Sequence, residues 1–205
     1  MDKKALIYLL KLVIQKSLGL FLYLIGKGWL LNQRATVYFS IYITGTILSG
    51  LIMFQINSKT LAERNKINTD SPKWDKFLLV TFWLLEFFVI YFLAGLESNK
   101  LIENIEISFW IGITINIISW SFALWAMIEN TFLESTARIQ NNRNQFVIQS
   151  GPYKIVRHPV YLSVIFSNIG ICLVFPTFSV IICATIIILI IIIRTYLEDV
   201  ILQVD

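Results

Sequence analysis

Residue types used in redox and metal chemistry are scarce in this chain. It contains one histidine and two cysteines among 205 residues, and only 15% of its residues are charged. Cys172 and Cys183 lie eleven residues apart inside apolar segments, and this spacing matches no metal-binding or redox motif. We therefore predict two free, buried thiols and no metal site. The sequence also lacks internal repeats and low-complexity tracts, which favours a single domain.

Apolar residues are abundant instead, and they are gathered in long blocks. Hydrophobic residues make up 57% of the chain and the mean hydropathy is +0.72, whereas soluble domains are about 45–50% apolar. A helix needs about 20 apolar residues to cross roughly 30 Å of hydrocarbon. Blocks at about 5–25, 35–56, 77–96 and 107–128 have that length. The first is too long for a removable signal peptide and lacks a small-residue cleavage site, so we expect a membrane helix there.

Two shorter blocks, about 160–175 and 177–193, lie on either side of Pro176. Each block would reach about 24–25 Å as a helix. This length predicts either two thin, tilted helices or a re-entrant hairpin. In both cases the chain returns to the membrane face from which it entered. The predicted fold is an all-α integral membrane protein, a multi-pass bundle of about five to six transmembrane helices with a C-terminal helical hairpin. We divide it into N-terminal transmembrane helices at 1–56 and a membrane core at 57–205, within one integral domain.

The distribution of lysine and arginine predicts how the bundle is oriented. The side with both termini and loops 57–76 and 129–159 carries twelve basic residues, and the opposite side carries three. Membrane proteins have an excess of basic residues on the cytoplasmic side, so we expect both termini and these loops to face the cytoplasm. Because these residues flank membrane helices, the net charge of +4 requires no nucleic-acid partner. The twelve are Lys3, Lys4, Lys59, Arg64, Lys66, Lys73, Lys76, Arg138, Arg143, Lys154, Arg157 and Arg194, and the three are Lys27, Arg34 and Lys100.

Loop 129–159 is predicted to contain a small β-hairpin. Residues 138–140 (Arg-Ile-Gln) and 146–148 (Phe-Val-Ile) lie on either side of a turn-forming cluster at 141–144. Gly151-Pro152 then breaks the backbone before the next helix.

The most informative stretch is residues 151–161, which holds the only histidine and lies where this loop turns into an apolar block. Pro159 suits the first position of a helix, because its missing N–H costs nothing there. Arg157 and His158 therefore stand beside the free N–H groups of a helix start, an arrangement that binds anions. The pattern indicates a membrane enzyme that holds a charged, water-soluble molecule at the bilayer surface.

A second polar group follows the last apolar block, at residues 194–199. The predicted hairpin returns it to the face that carries the 151–161 motif, so we expect the two to meet. Glu198 or Asp199 can accept hydrogen bonds from two ribose hydroxyls, while Arg157 and His158 meet an anion. The pattern suits a cofactor with a carboxylate and a vicinal diol. The alternative is that the basic residues and tyrosines anchor the membrane surface and that the acidic pair is a solvated tail.

Glu86 lies about nine residues into the third block, roughly 14 Å deep at helical rise. An ionisable group at that depth is costly and is a candidate functional residue. The alternative is a structural pairing with Lys11 or Lys16 of the first block. A small transporter that uses Glu86 and these lysines is a further hypothesis, although the chain has no evident inverted repeat.

The two polar groups together resemble a known family, that of the isoprenylcysteine carboxyl methyltransferases (ICMT). The related phospholipid N-methyltransferases share its Arg-His-Pro core. The resemblance covers about residues 70–202 and includes the stretches 130–140 and 145–148, which are similar to bacterial members. It is carried by Gly151-Pro152-Tyr153, Arg157-His158-Pro159, Tyr161, Arg194, Glu198-Asp199 and, further upstream, Pro72-Lys73-Trp74-Asp75-Lys76.

This resemblance implies a multi-pass enzyme of a bacterial plasma membrane that uses S-adenosylmethionine as its methyl donor. The cofactor would be held in a cytoplasmic pocket, and the methyl acceptor would be a prenylated or other lipophilic molecule among the membrane lipids. Carboxyl O-methylation is the expected reaction; the alternatives are phospholipid N-methylation and a catalytically silent membrane scaffold. The resemblance implies cofactor-binding roles for Tyr153, His158, Pro159, Glu198 and Asp199, and catalytic roles for Arg157, Tyr161 and Arg194.

Two features depart from the family's pattern. Family members often carry glycine two residues after the tyrosine, where this chain has Ser163, and we expect its hydroxymethyl group to narrow the cofactor pocket. Members also usually continue past the acidic pair with a tail of spaced tyrosines and basic residues that helps to close the site. This sequence ends at Asp205, so we expect a site without that closure.

Overall fold

The computed structural model describes residues 3–64, 71–101, 105–136 and 147–203, and within these ranges it contains helices and no strands. Five helices are long and apolar enough to cross a membrane, and a sixth is shorter. The predicted multi-pass helical bundle is therefore confirmed. The β-hairpin predicted around 141–144 falls on residues 137–146, outside the described ranges. The helices are α1 (Lys3–Lys27), α2 (Gln33–Arg64), α3 (Lys73–Leu96), α4 (Ile107–Glu129), α5 (Pro159–Val174) and α6 (Phe178–Gln203).

Helix α2 bends near the end of the bundle that carries the 151–161 motif. Asn57 has non-helical dihedral angles (φ −149°, ψ 64°), and its side-chain oxygen accepts a hydrogen bond from the Thr60 N–H at 3.3 Å. Asparagine is a preferred residue at a helix start because its side chain satisfies one of the free N–H groups. A short helical segment thus begins after Asn57 and turns Leu61 into the bundle, where only 1% of this residue is exposed.

The C-terminal hairpin differs from its prediction in its second arm. Helix α5 has 16 residues, about 24 Å at helical rise, but α6 has 26, about 39 Å. The expectation of two short arms is therefore wrong for the second one, because the helix continues through Arg194, Glu198 and Asp199. The α6 start is held at the opposite end of the bundle, where the Ser179 N–H donates to Glu97 Oε2 at 2.9 Å.

Helices α4 and α5 approach each other closely through glycines. A Cβ atom on Gly112 would lie 2.7 Å from the Gly170 carbonyl oxygen, a separation that real Cβ atoms do not show. Next to this contact, Ser167 of α5 donates to Asn116 Oδ1 of α4 at 2.8 Å. This packing fixes the position of α5, and with it the motif at its start.

Glu86 lies inside the bundle, in a π-helical turn of α3 (Leu85–Val89). The Asn168 amide of α5 donates to Glu86 Oε2 at 2.8 Å. Lys16 of α1 interacts electrostatically with the same carboxylate and donates a hydrogen bond to the Tyr42 hydroxyl. These contacts agree with the structural interpretation of Glu86 as the partner of a lysine of the first block. Cys172 and Cys183 are both free, as predicted, but only Cys183 is buried, and Cys172 is half-buried.

Candidate functional site

The 151–161 motif forms a turn followed by a helix start. Gly151–Lys154 form a 3-10 turn in which Gly151 has a positive φ of 54°, a conformation that glycine adopts without strain. Pro159 is the first residue of α5, and His158 occupies the capping position before it. The motif therefore lies at a helix start, as predicted, and the N–H groups of the first turn have no partner within the helix.

The end of α6 returns to this point, and two hydrogen-bonded pairs join the helices. His158 Nε2 lies 2.8 Å from Asp199 Oδ1, and the Tyr161 hydroxyl donates to Glu198 Oε2 at 2.6 Å. The rings of His158 and Tyr161 are parallel within 7°, with centroids 5.4 Å apart. Because the His158 and Asp199 side chains are 18% and 33% exposed, this cluster is accessible from the aqueous side of the bundle.

Arg194 forms the buried part of the same cluster. Its Nε donates to Asp75 Oδ1 at 2.8 Å, and its Nη2 donates to the Ser135 carbonyl oxygen at 2.8 Å. The guanidinium carbon lies 5.5 Å from the centroid of the Tyr161 ring. The Arg194 and Asp75 side chains are 5% and 0% exposed, so the charge of Arg194 is neutralised inside the protein. Arg194 therefore supports the Tyr161 ring from within the bundle.

Tyr153 lies beside this cluster, next to the end of α4. The Asn130 side-chain amide donates to its hydroxyl at 3.1 Å. Burial raises the pKa of the Tyr153 hydroxyl above its ordinary value, and the charges of Arg64 and Glu198 also act on it. Tyr153 is thus a neutral hydroxyl between the end of α2 and the end of α6.

The structure accordingly brings together His158, Tyr161, Arg194, Glu198 and Asp199, with Tyr153 and Pro159 beside them. Arg157 is exposed and makes no hydrogen bond or ion pair within the part of the chain that the structure describes. The Ser163 hydroxyl donates to the Pro159 carbonyl oxygen at 2.8 Å, inside its own helix. The roles of all these residues remain predictions.

Sequence reasoning missed Asp75 and Ser135 as partners of Arg194. Asp75 entered the prediction only as part of a family-like stretch, although a carboxylate in the first turn of an apolar helix is itself a signal, because it needs a buried partner. Ser135 could not be found in this way, because it contributes a backbone carbonyl oxygen rather than a side chain. The Ser135 hydroxyl also donates to the Arg64 carbonyl oxygen at 3.3 Å, which links the ends of α2 and α6.

A cavity of about 610 Å³ lies between α1, α2 and α4, within the usual range for small-molecule sites. Most of its lining is apolar and includes Leu48, Met53, Leu61, Leu124 and Met127. Leu48 is 55% exposed, so the cavity is open on the lipid-facing surface of the bundle. Its other end reaches Leu61 and Met127, close to Arg64 and Asn130 and therefore to Tyr153.

The arrangement thus combines a polar cluster, accessible from water, with an apolar cavity open to lipid. The carboxylates have acceptor capacity beyond the bonds they make here, because each can accept about four hydrogen bonds. They can hold hydroxyl or amino groups, while the first-turn N–H groups and the exposed Arg157 can meet an anion. Such a site can bring a polar molecule from solution next to a lipophilic one from the bilayer.

The fold and the candidate site therefore define a multi-pass membrane protein. At one end of its helical bundle, a polar cluster lies near an apolar cavity. Residues 111–204 match the model of the isoprenylcysteine carboxyl methyltransferase (ICMT) family, which confirms the resemblance and supports a membrane methyltransferase. The match contains α5, α6 and most of α4, and it begins after the Pro72–Lys76 stretch. Comparisons with curated proteins and with solved structures gave no match.

Proposed function

We propose that this chain is an S-adenosylmethionine-dependent methyltransferase that methylates a lipophilic acceptor, with an isoprenylcysteine-like carboxylate as the preferred acceptor group. The observation that carries the proposal is the joining of α5 and α6 by the His158–Asp199 and Tyr161–Glu198 pairs. The four side chains come from the two segments of the family-like motif, and all lie within the matched residues 111–204.

The residues present fit the chemistry of S-adenosylmethionine. When bound, this cofactor supplies a methyl group on a positively charged sulfur. Glu198 and Asp199 offer acceptors for ribose hydroxyls and an ammonium group, and their negative charge also suits a cation. The N–H groups at the start of α5, with His158 and Arg157, offer donors for the cofactor's carboxylate.

The remaining residues of the cluster act by positioning. The Tyr161 ring is held against the His158 ring and the Arg194 guanidinium, so its hydroxyl is aimed at Glu198. Because the Glu198 carboxylate is already fixed, less of its motion has to be restricted when the cofactor binds. Correct orientation of the reactants contributes strongly to the rate of group-transfer reactions. Arg194 needs Asp75 for this task, because burying a guanidinium without a charged partner is strongly unfavourable.

A carboxylate acceptor places fewer chemical demands on the cluster than an amine acceptor does. A carboxylate is already an anionic nucleophile at neutral pH, whereas an ammonium acceptor must first lose a proton to a general base. The only imidazole of the chain, that of His158, is hydrogen-bonded to Asp199. Carboxyl O-methylation therefore needs only binding and alignment from these residues, whereas phospholipid N-methylation would also require one of them to act as a general base.

The cavity between α1, α2 and α4 supports entry of the acceptor from the bilayer. Its apolar lining can take up a lipid chain, while its inner end approaches the polar cluster through Tyr153. We propose that the polar end of the bundle faces the cytoplasm, from which the soluble cofactor enters. The excess of basic residues at this end supports that orientation.

Calorimetric titration of S-adenosylmethionine into the detergent-purified chain tests the proposal. We expect saturable binding that is lost in His158→Ala and in Glu198→Gln. Glu106→Gln is a matched control, because Glu106 is a carboxylate at the opposite end of the bundle. Absence of binding in a folded parent protein would refute the proposal and favour the membrane scaffold, and unchanged binding in both variants would place the cofactor elsewhere.

A further inference from the structure

The wall of the cavity between α1, α2 and α4 contains hydroxyl groups that the protein leaves without hydrogen bonds. Ser40, Thr44, Ser49 and Ser121 line it, and none of their hydroxyls bonds to another residue in the described ranges. Other hydroxyls of the membrane helices donate to the carbonyl oxygen four residues earlier. Thr46, in the same wall, does so, and so do Thr114 of α4 and Thr185 of α6.

Two of these hydroxyls lie at the same level of the bundle. The Trp120 ring packs against Tyr42, with centroids 5.3 Å apart, and one of its carbon atoms lies 4.0 Å from the Cβ position of Gly45. Thr44 and Ser121 are the chain neighbours of Gly45 and Trp120. The α2 and α4 sides of the cavity therefore present hydroxyl groups at the depth of Tyr42.

Lys16 brings a cationic donor to the same level from α1. It lines the cavity, its ammonium donates to the Tyr42 hydroxyl, and its Nζ lies 4.2 Å from the centroid of the Tyr42 ring. An ammonium group has three N–H donors, so Tyr42 does not exhaust its capacity. Lys16 is held by Glu86 and Tyr42, whereas the Thr44 and Ser121 hydroxyls are exposed along the cavity and have no protein partner in the described ranges. A hydroxyl that faces hydrocarbon lacks the hydrogen bonds that water would give it, so an occupant that bonds to these groups is favoured.

We propose that this cavity binds the apolar body of the methyl acceptor and that Lys16, Thr44 and Ser121 hydrogen-bond an oxygen atom carried part-way along that body. The inference rests on the proposed function and deepens it. The acceptor is then an oxygenated lipophile, with a hydroxyl, ether or carbonyl oxygen distant from its reacting end, rather than a plain hydrocarbon chain. The helices α1 and α2 that build most of this wall lie outside the matched residues 111–204, whereas Ser121 lies inside them.

Two probes that differ by one atom test the proposal. The first is N-acetyl-S-farnesylcysteine, and the second is its analogue in which an ether oxygen replaces one mid-chain methylene. Binding of each to the full-length protein in detergent is measured by equilibrium dialysis without cofactor. We expect the parent to bind the ether analogue about fivefold more tightly, the effect of one net hydrogen bond.

Variants that remove the hydroxyls without changing side-chain shape make the test specific. Thr44→Val and Ser121→Ala should each reduce the preference for the ether analogue, and the double variant should abolish it. Thr114→Val is the matched control, because its exposed hydroxyl is bonded within α4, and it should keep the full preference. Lys16→Met is made together with Glu86→Gln, so that no buried carboxylate is left unpaired, and should also abolish the preference.

Equal affinity of the parent for the two probes would overturn the proposal, and so would a preference that survives loss of both hydroxyls. If neither probe binds, the cavity is not the acceptor site and the proposal also fails. Titration of S-adenosylmethionine into the same preparation then separates the two hypotheses. Retained cofactor binding leaves the proposed function standing, whereas its loss removes both.

Discussion

Replacing Asp75 by alanine is expected to destabilise the folded protein more than any other single carboxylate substitution near the site. Asp75 is fully buried, and its Oδ1 lies 2.8 Å from Arg194 Nε, whose side chain is 5% exposed. Without Asp75, the guanidinium would retain the Ser135 carbonyl oxygen and the Tyr161 ring, neither of which carries a charge. Breaking a buried ion pair by removing one partner typically costs about 3–5 kcal/mol, and we expect a loss in that range.

The free energy of unfolding in detergent, measured with a chemical denaturant, gives this quantity for a set of matched variants. Arg194→Met should also be strongly destabilising, because the buried Asp75 carboxylate then loses the guanidinium that donates to it at 2.8 Å. The double variant should be no less stable than Asp75→Ala alone, since neither buried charge then remains. Asp199→Ala is the control. Its carboxylate also pairs with a partner at this end of the bundle, but it is 33% exposed, so we expect a loss of about 1 kcal/mol or less.

A loss below about 1 kcal/mol for Asp75→Ala would refute this reasoning, because it would show that the Arg194 charge is solvated once Asp75 is gone. A double variant much less stable than either single variant would also contradict it. In that case the two residues would act independently, and their contact would not be the source of the stability.

Three further outcomes are expected. Gly112→Ala should lower the free energy of unfolding by about 1–3 kcal/mol through overpacking. Gly45→Ala should not lower it, because the added Cβ has no neighbour closer than 4.0 Å. Equal losses in the two variants would contradict the close α4–α5 contact. The hydrogen bonds from Lys100 and from the Ser179 N–H lower the pKa of Glu97 to about 2. The ionised Glu97 carboxylate therefore stabilises the fold at pH values above its unfolded pKa near 4.5, and this contribution is lost as the pH falls towards 2. Thermal unfolding between pH 5 and 2 should therefore depend less on pH in Glu97→Gln, and parallel curves would contradict this. A fluorescent protein fused to the C-terminus should be active and alkaline phosphatase at the same position inactive, and the opposite pattern would reverse the proposed orientation.

The sequence was most informative about features that depend on neighbouring residues or on the length of an apolar segment. The membrane spans follow from uninterrupted apolar runs, and Pro159 marks the start of α5 because proline suits a first helical turn. The meeting of His158 and Tyr161 with Glu198 and Asp199 follows from a hairpin that must return to the face it left.

Features that depend on distant packing could not be predicted in this way. Arg194 and Asp75 are separated by 119 residues, and no local pattern connects them. The burial of Arg194 depends on this contact, because a buried guanidinium needs a partner for its charge. The cavity was also beyond prediction, since it is formed by the bend at Asn57 and by the relative positions of three helices.

The buried Asp75–Arg194 pair also limits how this protein can be recombined. Arg194 lies inside the matched segment 111–204, and Asp75 lies outside it, at the start of α3. A chimera that transplants only the C-terminal segment onto other membrane helices would carry the arginine without its carboxylate. Such a graft requires an acidic residue in the first turn of the recipient's third helix, so the smallest exchangeable unit of this protein extends back to α3.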